Sequence, residues 1–293
     1  MKKQYNHYFI LALLAIIWGS SFILMKRGLD AYSDVQVAAL RLFIAFLSLL
    51  PFMFKALKKV KRNQILPLAI AGILGNGIPA FLFTRAQTTL ESSFVGILNS
   101  LTPIFTLLLG IYFFKTKPSK INILGNIIGF IGALLLYSSE ISEVTTINIG
   151  VLLIVLACFF YGTSVNVIRK YLTELDSISI SVVAFLFVGP FAGFYIFTTD
   201  FLEIATTTNQ GLISLGYIVI LAVIGTSFSV VVFNKLIKDT SAIFAASVTY
   251  LIPVVSLMWG LLENEQIKNE HYIGVVIILC GVYLVNKKKF IPK

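Results

Sequence analysis

Ten apolar runs, each close to the ~20 residues that a helix needs to cross a bilayer, follow one another along this chain with short polar connections between them. They begin near Tyr8, Val35, Ile65, Phe94, Ile121, Ile147, Ile178, Gly211, Ala242 and Tyr272, and the last is the shortest. Inside lipid no water is available to the backbone, so each run must satisfy its own N–H and C=O groups, which a helix does. The expected fold is therefore an all-α integral membrane protein of ten transmembrane helices. With 58% hydrophobic and 12% charged residues, the 293-residue chain is too apolar for a soluble surface. The first run, Tyr8 to Met25, has no small-residue cleavage pattern leading into a soluble domain, so it is read as a retained span.

A net charge of +10 raises the question of nucleic acid, but the basic residues lie between the apolar runs and form no compact polar face. Eighteen of the 23 Lys and Arg residues fall in the termini and alternate connections, five of them between Lys55 and Arg62. The opposite connections hold only Lys26, Arg27, Arg85 and Lys268, and Arg41 lies within a span. The positive-inside rule then places both termini in the cytoplasm of a multi-pass protein of the cell membrane, which an even number of spans permits. Cys158 and Cys280 both sit in apolar runs, where cysteine packs as a small hydrophobe, and neither a disulfide nor a metal site is expected.

The chain repeats itself. ESSFVGILNSLTPIFTLLLG (Glu91 to Gly110) and SAIFAASVTYLIPVVSLMWG (Ser241 to Gly260) superpose with Pro103 on Pro253 and Gly110 on Gly260. The first span sets Trp18 on Tyr161, Gly19 on Gly162 and Ser21 on Ser164 of the sixth, and the third sets Gly75 on Gly225, Asn76 on Thr226 and Phe83 on Phe233 of the eighth. The fifth and tenth share glycines, Gly125 and Gly132 with Gly274 and Gly281, while the second and seventh match only as apolar runs. Two five-span units result, residues 1–142 and 143–293. Because five is odd, the second unit must be inserted upside down. Inverted-topology repeats place a substrate site near the midplane, in a central cavity where the halves meet.

Several of these segments together resemble the drug/metabolite transporter superfamily, in its ten-span, EamA-type members. The resemblance rests on Trp18 to Ser21 with Lys26, on Ala39-Leu40-Arg41-Leu42, on Ala86 to Phe94 leading into Leu101-Thr102-Pro103, and on Gly260 to Glu265 followed by Gly274 to Gly281. It covers nearly the whole chain. It implies export, or in some members uptake, of small polar or amphipathic metabolites, amino acids or related compounds among them, by alternating access through a central cavity. It also implies that spans one, three, four, six, eight and nine surround the cavity, with five and ten behind. One feature departs from the family: the acid that Glu265 supplies nine residues before Gly274 has Thr116 at its first-half counterpart.

Candidate substrate-binding residues are those with polar tips inside apolar spans. Asn99 and Thr102 share a helical face beside the carbonyl that Pro103 deprives of its donor, with Thr249 and Tyr250 near Pro253 as their counterparts. Each pair either binds a polar solute or satisfies a bent helix and its neighbours. Trp18 and Tyr161 are mid-span aromatics suited to an amphipathic ligand. Ser21 follows Trp18 by three residues, Asn166 stands one turn past Gly162, and Asn76 lies between Gly75 and Gly77. Arg41 is the one charge well inside a span, and Asp34, Glu91 and Glu265 are its candidate partners. The expected role of Arg41 with Glu265 is a structural or gating charge pair rather than direct substrate contact.

All thirteen acids and both histidines lie in loops or near span ends, which disfavours a midplane proton relay and favours a facilitator or exchanger. A polytopic membrane enzyme would need an acid, histidine or metal cluster at an interface, and the sequence offers only the solvated group around Glu263 to His271. A channel-like protein is the other alternative. The expected partners are a small-molecule solute and the lipid bilayer, without cofactor or nucleic acid. The glycine seam of the fifth span is expected to pack within one chain, leaving a monomer or weak homodimer.

Overall fold

The computed structural model describes residues 2–135, 149–262 and 269–286. Among them, seven helices are long and apolar enough to cross a bilayer: α1 (Asn6–Leu29), α2 (Asp34–Leu57), α3 (Arg62–Ala86), α4 (Phe94–Tyr112), α6 (Ile149–Tyr171), α7 (Ser177–Ile196) and α8 (Asn209–Asp239). Three shorter or interrupted apolar helices complete ten: α5 (Lys120–Leu135), α9 (Ala242–Ala246, then Val248–Leu262) and α10 (Asn269–Asn286).

Residues matched in the sequence make equivalent contacts in the two halves of the molecule. A Cβ on Gly19 would touch Val255 at 2.6 Å, and one on Gly162 would touch the Thr106 nitrogen at 2.9 Å and Phe105 at 3.0 Å. Likewise Gly75 faces the Ser164 hydroxyl and Gly225 faces that of Ser21. Trp18 packs edge-on to Phe233 at 5.0 Å, while Tyr161 stacks on Phe83 at 5.7 Å. Thus α1 lies against α8 and α9, and α6 lies against α3 and α4. Each repeat lends its first helix to the other, so the core is shared between them.

Helices α5 and α10 pack on one another by backbone contact. Cβ atoms built on Gly125, Gly132 and Gly281 would fall 2.6 Å from the Val285 nitrogen, 2.7 Å from the Ile278 nitrogen and 2.4 Å from the Gly129 nitrogen. Small residues let helix axes approach this closely, and in lipid such packing replaces the hydrophobic drive available in water. The seam expected from the sequence is therefore filled by a helix of the same chain.

Both ends of the bundle are tied by polar contacts outside the apolar zone. At the lysine-rich end Lys59 Nζ lies 2.8 Å from Asp176 and Lys61 Nζ 2.7 Å from Glu174. Arg169 donates to the Lys238 carbonyl at 2.6 Å, and the Lys238 ammonium donates to the Leu175 carbonyl. At the opposite end Gln36 donates to Asp200 at 2.7 Å and the Tyr32 hydroxyl to the Gly211 carbonyl at 3.0 Å. Ser33 caps α2 through a reciprocal box with Gln36, and Asp176 caps α7 by accepting from the Ser179 nitrogen at 3.0 Å.

Burial works to raise the Asp176 carboxyl, but bonds from Lys59 and Ser179 outweigh it and hold the group well below the usual carboxylate range. Its folded pKa is thus depressed. The stabilisation is present above the unfolded value of about 3.9 and is lost as pH falls through the folded one. The Lys59–Asp176 pair is about half exposed, so the cap carries most of the effect. Asp176→Ala is expected to cost about 1 kcal/mol, read as a lower thermal midpoint at pH 7 in detergent, while Asp176→Asn recovers most of it by keeping the capping oxygen.

Candidate functional site

The proline-bent helices α4 and α9 cross beside each other, and the fate of their orphaned carbonyls decides what the site offers. Each needs a donor from elsewhere in the protein, and the structure supplies one. Before Pro103, residues Asn99–Leu101 tighten into a 3₁₀ turn, so the Thr102 nitrogen reaches the Asn99 carbonyl, with the Cys158 thiol 3.8 Å from the same oxygen. The Thr249 carbonyl accepts from the Ser100 hydroxyl at 3.2 Å. A buried carbonyl without a donor is costly in lipid, and here protein donors meet the need before any solute does.

Helices α3 and α8 carry a second matched irregularity. Ile73–Gly77 and Val223–Phe228 are π-helical turns in which the i−4 ladder slips. At the equivalent positions Asn76 and Thr226, the side chain reaches back five residues, Asn76 Nδ2 to the Ala71 carbonyl at 3.2 Å and Thr226 Oγ1 to the Leu221 carbonyl at 2.9 Å. π-Turns widen a helix locally and recur at functional sites. The Gly225 carbonyl, within one of these turns, accepts from the Trp18 indole at 3.0 Å.

Between the halves lies a cavity of about 1050 Å³ of empty space, mouth included. Trp18, Ser21, Asn76 and Tyr161 line it, and so do Asn99, Thr102 and Thr249. Asn99 and Thr102 are joined, Thr102 Oγ1 donating to Asn99 Oδ1 at 3.1 Å. The Tyr161 hydroxyl has no hydrogen-bond partner among the described residues. Contributions come from α1, α3 and α4 and from α6, α8 and α9, with α2 and α7 adding Arg41 and Ala184.

Two candidates stand elsewhere. Asn166 is buried against α4, donating to the Thr106 carbonyl at 2.9 Å and to Gly162 of its own helix at 2.8 Å. Tyr250 points away from the cavity and places its hydroxyl 2.9 Å from both the backbone oxygen and Oδ1 of Asn126 on α5. The Asn126 amide in turn donates to the Pro103 carbonyl at 3.0 Å. These polar groups brace helix to helix behind the cavity.

Arg41 has a neighbour that the sequence did not suggest. It lines the cavity, its Nε donates to Thr226 Oγ1 at 2.7 Å, and among the described residues no carboxylate pairs with it. Asp34, one expected partner, is 3.5 Å from Arg85 instead. Glu265 lies outside the described residues.

Sequence reasoning passed over Ser164, Phe83, Phe233 and Thr226, all in the cavity wall. The signal was present in the repeat: each is matched to another lining residue, Ser164 to Ser21, Phe83 and Phe233 to each other, and Thr226 to Asn76.

Two interlocked five-helix repeats around a central chamber define a ten-span membrane carrier rather than an enzyme. The EamA-like transporter family model matches residues 6–138 and 148–287, and the chain belongs to that family. Relatives extend over its full length. An uncharacterized transporter of Archaeoglobus fulgidus is 25% identical over 99% of this chain and 100% of its own. The uncharacterized inner membrane transporter YedA of Escherichia coli is 23% identical over 95% and 90%. A probable amino-acid metabolite efflux pump of Salmonella typhimurium is 24% identical over 94% and 93%. A solved crystal structure, 13% identical, superposes with a TM-score of 0.72 over 96% of each chain, a likeness of fold.

Proposed function

We propose that the protein is a secondary transporter that carries small polar or amphipathic metabolites across the cytoplasmic membrane by alternating access, with both termini in the cytoplasm. The observation that carries this reading is the cavity walled by equivalent residues of two inverted repeats. A chamber with matched walls can open to either side by exchanging the packing of one half for that of the other. Trp18, Ser21, Asn76, Asn99, Thr102, Tyr161 and Thr249 are the proposed solute contacts. The lysine-rich connections support the orientation of the termini, and the name of the Salmonella relative, a probable amino-acid metabolite efflux pump, favours efflux.

Exchange or facilitated movement fits better than obligatory proton coupling, since among the described residues the cavity wall carries no Asp, Glu or His side chain. In proteoliposomes, uptake of a labelled solute is expected to saturate and to be accelerated by unlabelled solute on the opposite side. A flux that rises linearly with concentration and shows no counterflow would overturn the carrier reading in favour of a channel.

A further inference from the structure

We infer that the cavity takes an organic monocarboxylate, an anion with an apolar body and no cationic group, and that Arg41 is its anchor. This deepens the transporter reading by naming the class of solute. The Thr226 hydroxyl donates to the Leu221 carbonyl and accepts from Arg41 Nε at 2.7 Å, so a π-turn of α8 fixes the plane of the guanidinium. The two terminal nitrogens of Arg41 have no hydrogen-bond partner among the described residues. Arg41 is half-buried in the cavity wall, and a solute that displaces water from a guanidinium there must replace its hydration with a counter-charge, because desolvation of an ion costs several kcal/mol.

Described ion pairs all lie elsewhere, at Arg27–Asp30, Lys59–Asp176, Lys61–Glu174 and Arg85–Asp34. The free edge of an arginine fork presents two parallel N–H donors, the pattern a carboxylate accepts bidentately. The Tyr161 phenol, whose hydroxyl has no partner among the described residues, lines the same cavity as Arg41.

The repeat shows why a single negative charge is preferred. Ser33 and Asp176, the caps of α2 and α7, are 143 residues apart, the same offset that sets Trp18 on Tyr161. Arg41 therefore corresponds to Ala184, and both line the cavity. One half supplies a cation and the other a methyl group. With no carboxylate in the described wall, an ammonium group would enter without a counter-charge. The Phe83–Tyr161 stack and the Trp18–Phe233 pair provide apolar surface for the rest of the ligand.

The test uses the full chain in detergent at constant chloride, with three probes that share a ring and chain: 3-phenylpropionate, 3-phenylpropionamide and 3-phenylpropylamine. A saturable rise in unfolding midpoint is expected with the carboxylate, at an affinity at least about tenfold above the other two. Arg41→Gln should weaken carboxylate binding about 10- to 100-fold, the range for a hydrogen bond to a charged group. Arg41→Lys should retain an intermediate affinity, since it keeps the charge without the fork. Thr226→Val should weaken binding several-fold, which gives a second readout should Arg41→Gln fail to fold.

Equal binding of amide or amine, or undiminished carboxylate binding in both Arg41→Gln and Thr226→Val, overturns the inference. So does the absence of any shift across acetate, butyrate, 4-methylpentanoate and 3-phenylpropionate. Counterflow of a neutral or cationic solute without carboxylate binding would sink this inference and leave the transporter standing. Carboxylate binding without counterflow would do the reverse.

Discussion

Gly281→Ala is expected to lower the stability of the protein by about 3 kcal/mol, at the upper end of what overpacking a well-filled core typically costs. The added methyl would lie 2.4 Å from the Gly129 nitrogen and 2.6 Å from its Cα. Both atoms belong to the backbone of a helix, so no side-chain rotation relieves the clash, and α5 and α10 must separate along their length. Separation would also loosen the neighbouring contacts of Gly125 and Gly132, because all three glycines belong to one seam. The measurement is the unfolding midpoint in mild detergent, together with the yield of monodisperse protein.

Gly216→Ala in α8 is the control. A Cβ there meets nothing within 4 Å, so the change should be neutral or slightly stabilising through the better helix propensity of alanine. If the two variants unfold alike, close backbone packing of α5 on α10 is not what holds the rear of the bundle.

Tyr250→Phe and Asn126→Leu are each expected to cost about 1–2 kcal/mol, the range for buried hydrogen bonds between membrane helices. Removing the Tyr250 hydroxyl deprives the Asn126 side-chain oxygen of a donor, and removing the Asn126 amide leaves the Pro103 carbonyl without its cross-helix bond. The two residues share one network, so the double variant should lose less than the sum of the singles. Ligand affinity should remain at the wild-type value in both, since neither side chain lines the cavity. A loss of affinity in Tyr250→Phe with unchanged stability would instead return Tyr250 to the binding site, where its place in the sequence had suggested it.

The contrast between Tyr250 and Thr249 shows where sequence reasoning stops. Adjacent residues in a helix point about 100° apart, so one polar side chain next to a proline can face the chamber while the next faces its support. Thr249 lines the cavity and Tyr250 reaches α5. Nothing local distinguishes them. The partner that decides the matter, Asn126, is 124 residues away in sequence, and a lone asparagine in a glycine-rich span had given no reason to be paired with it.

Arg41 is a similar case. Its position in a span marked it as important, and the acids expected at the same end of the bundle, Asp34, Glu91 and Glu265, suggested an ion pair. The neighbour it has, Thr226, arrives from the other repeat on a π-turn whose existence depends on slipped backbone hydrogen bonds. By contrast, the contact of Ser21 with Gly225 is repeated by that of Ser164 with Gly75: the equivalence that aligned Ser21 with Ser164 and Gly75 with Gly225 in sequence also relates the two contacts in space.

The sequence by itself determined the solvent, the helices and the duplication. Apolar length dictates crossing of a bilayer, lipid dictates that every crossing be helical, and an odd repeat dictates inversion. Those are constraints of period, length and parity, which act along a chain and can be read along it. The tertiary structure alone decided which polar groups face the chamber and which are consumed by other helices. Hydrogen bonds in lipid are satisfied by whichever donor or acceptor packing brings within about 3 Å, and that proximity joins residues more than a hundred positions apart. Thus Asn99 and Thr249 line the cavity while their carbonyls are taken by the protein, and Arg41 stands in the same wall with its terminal nitrogens unpartnered among the described residues.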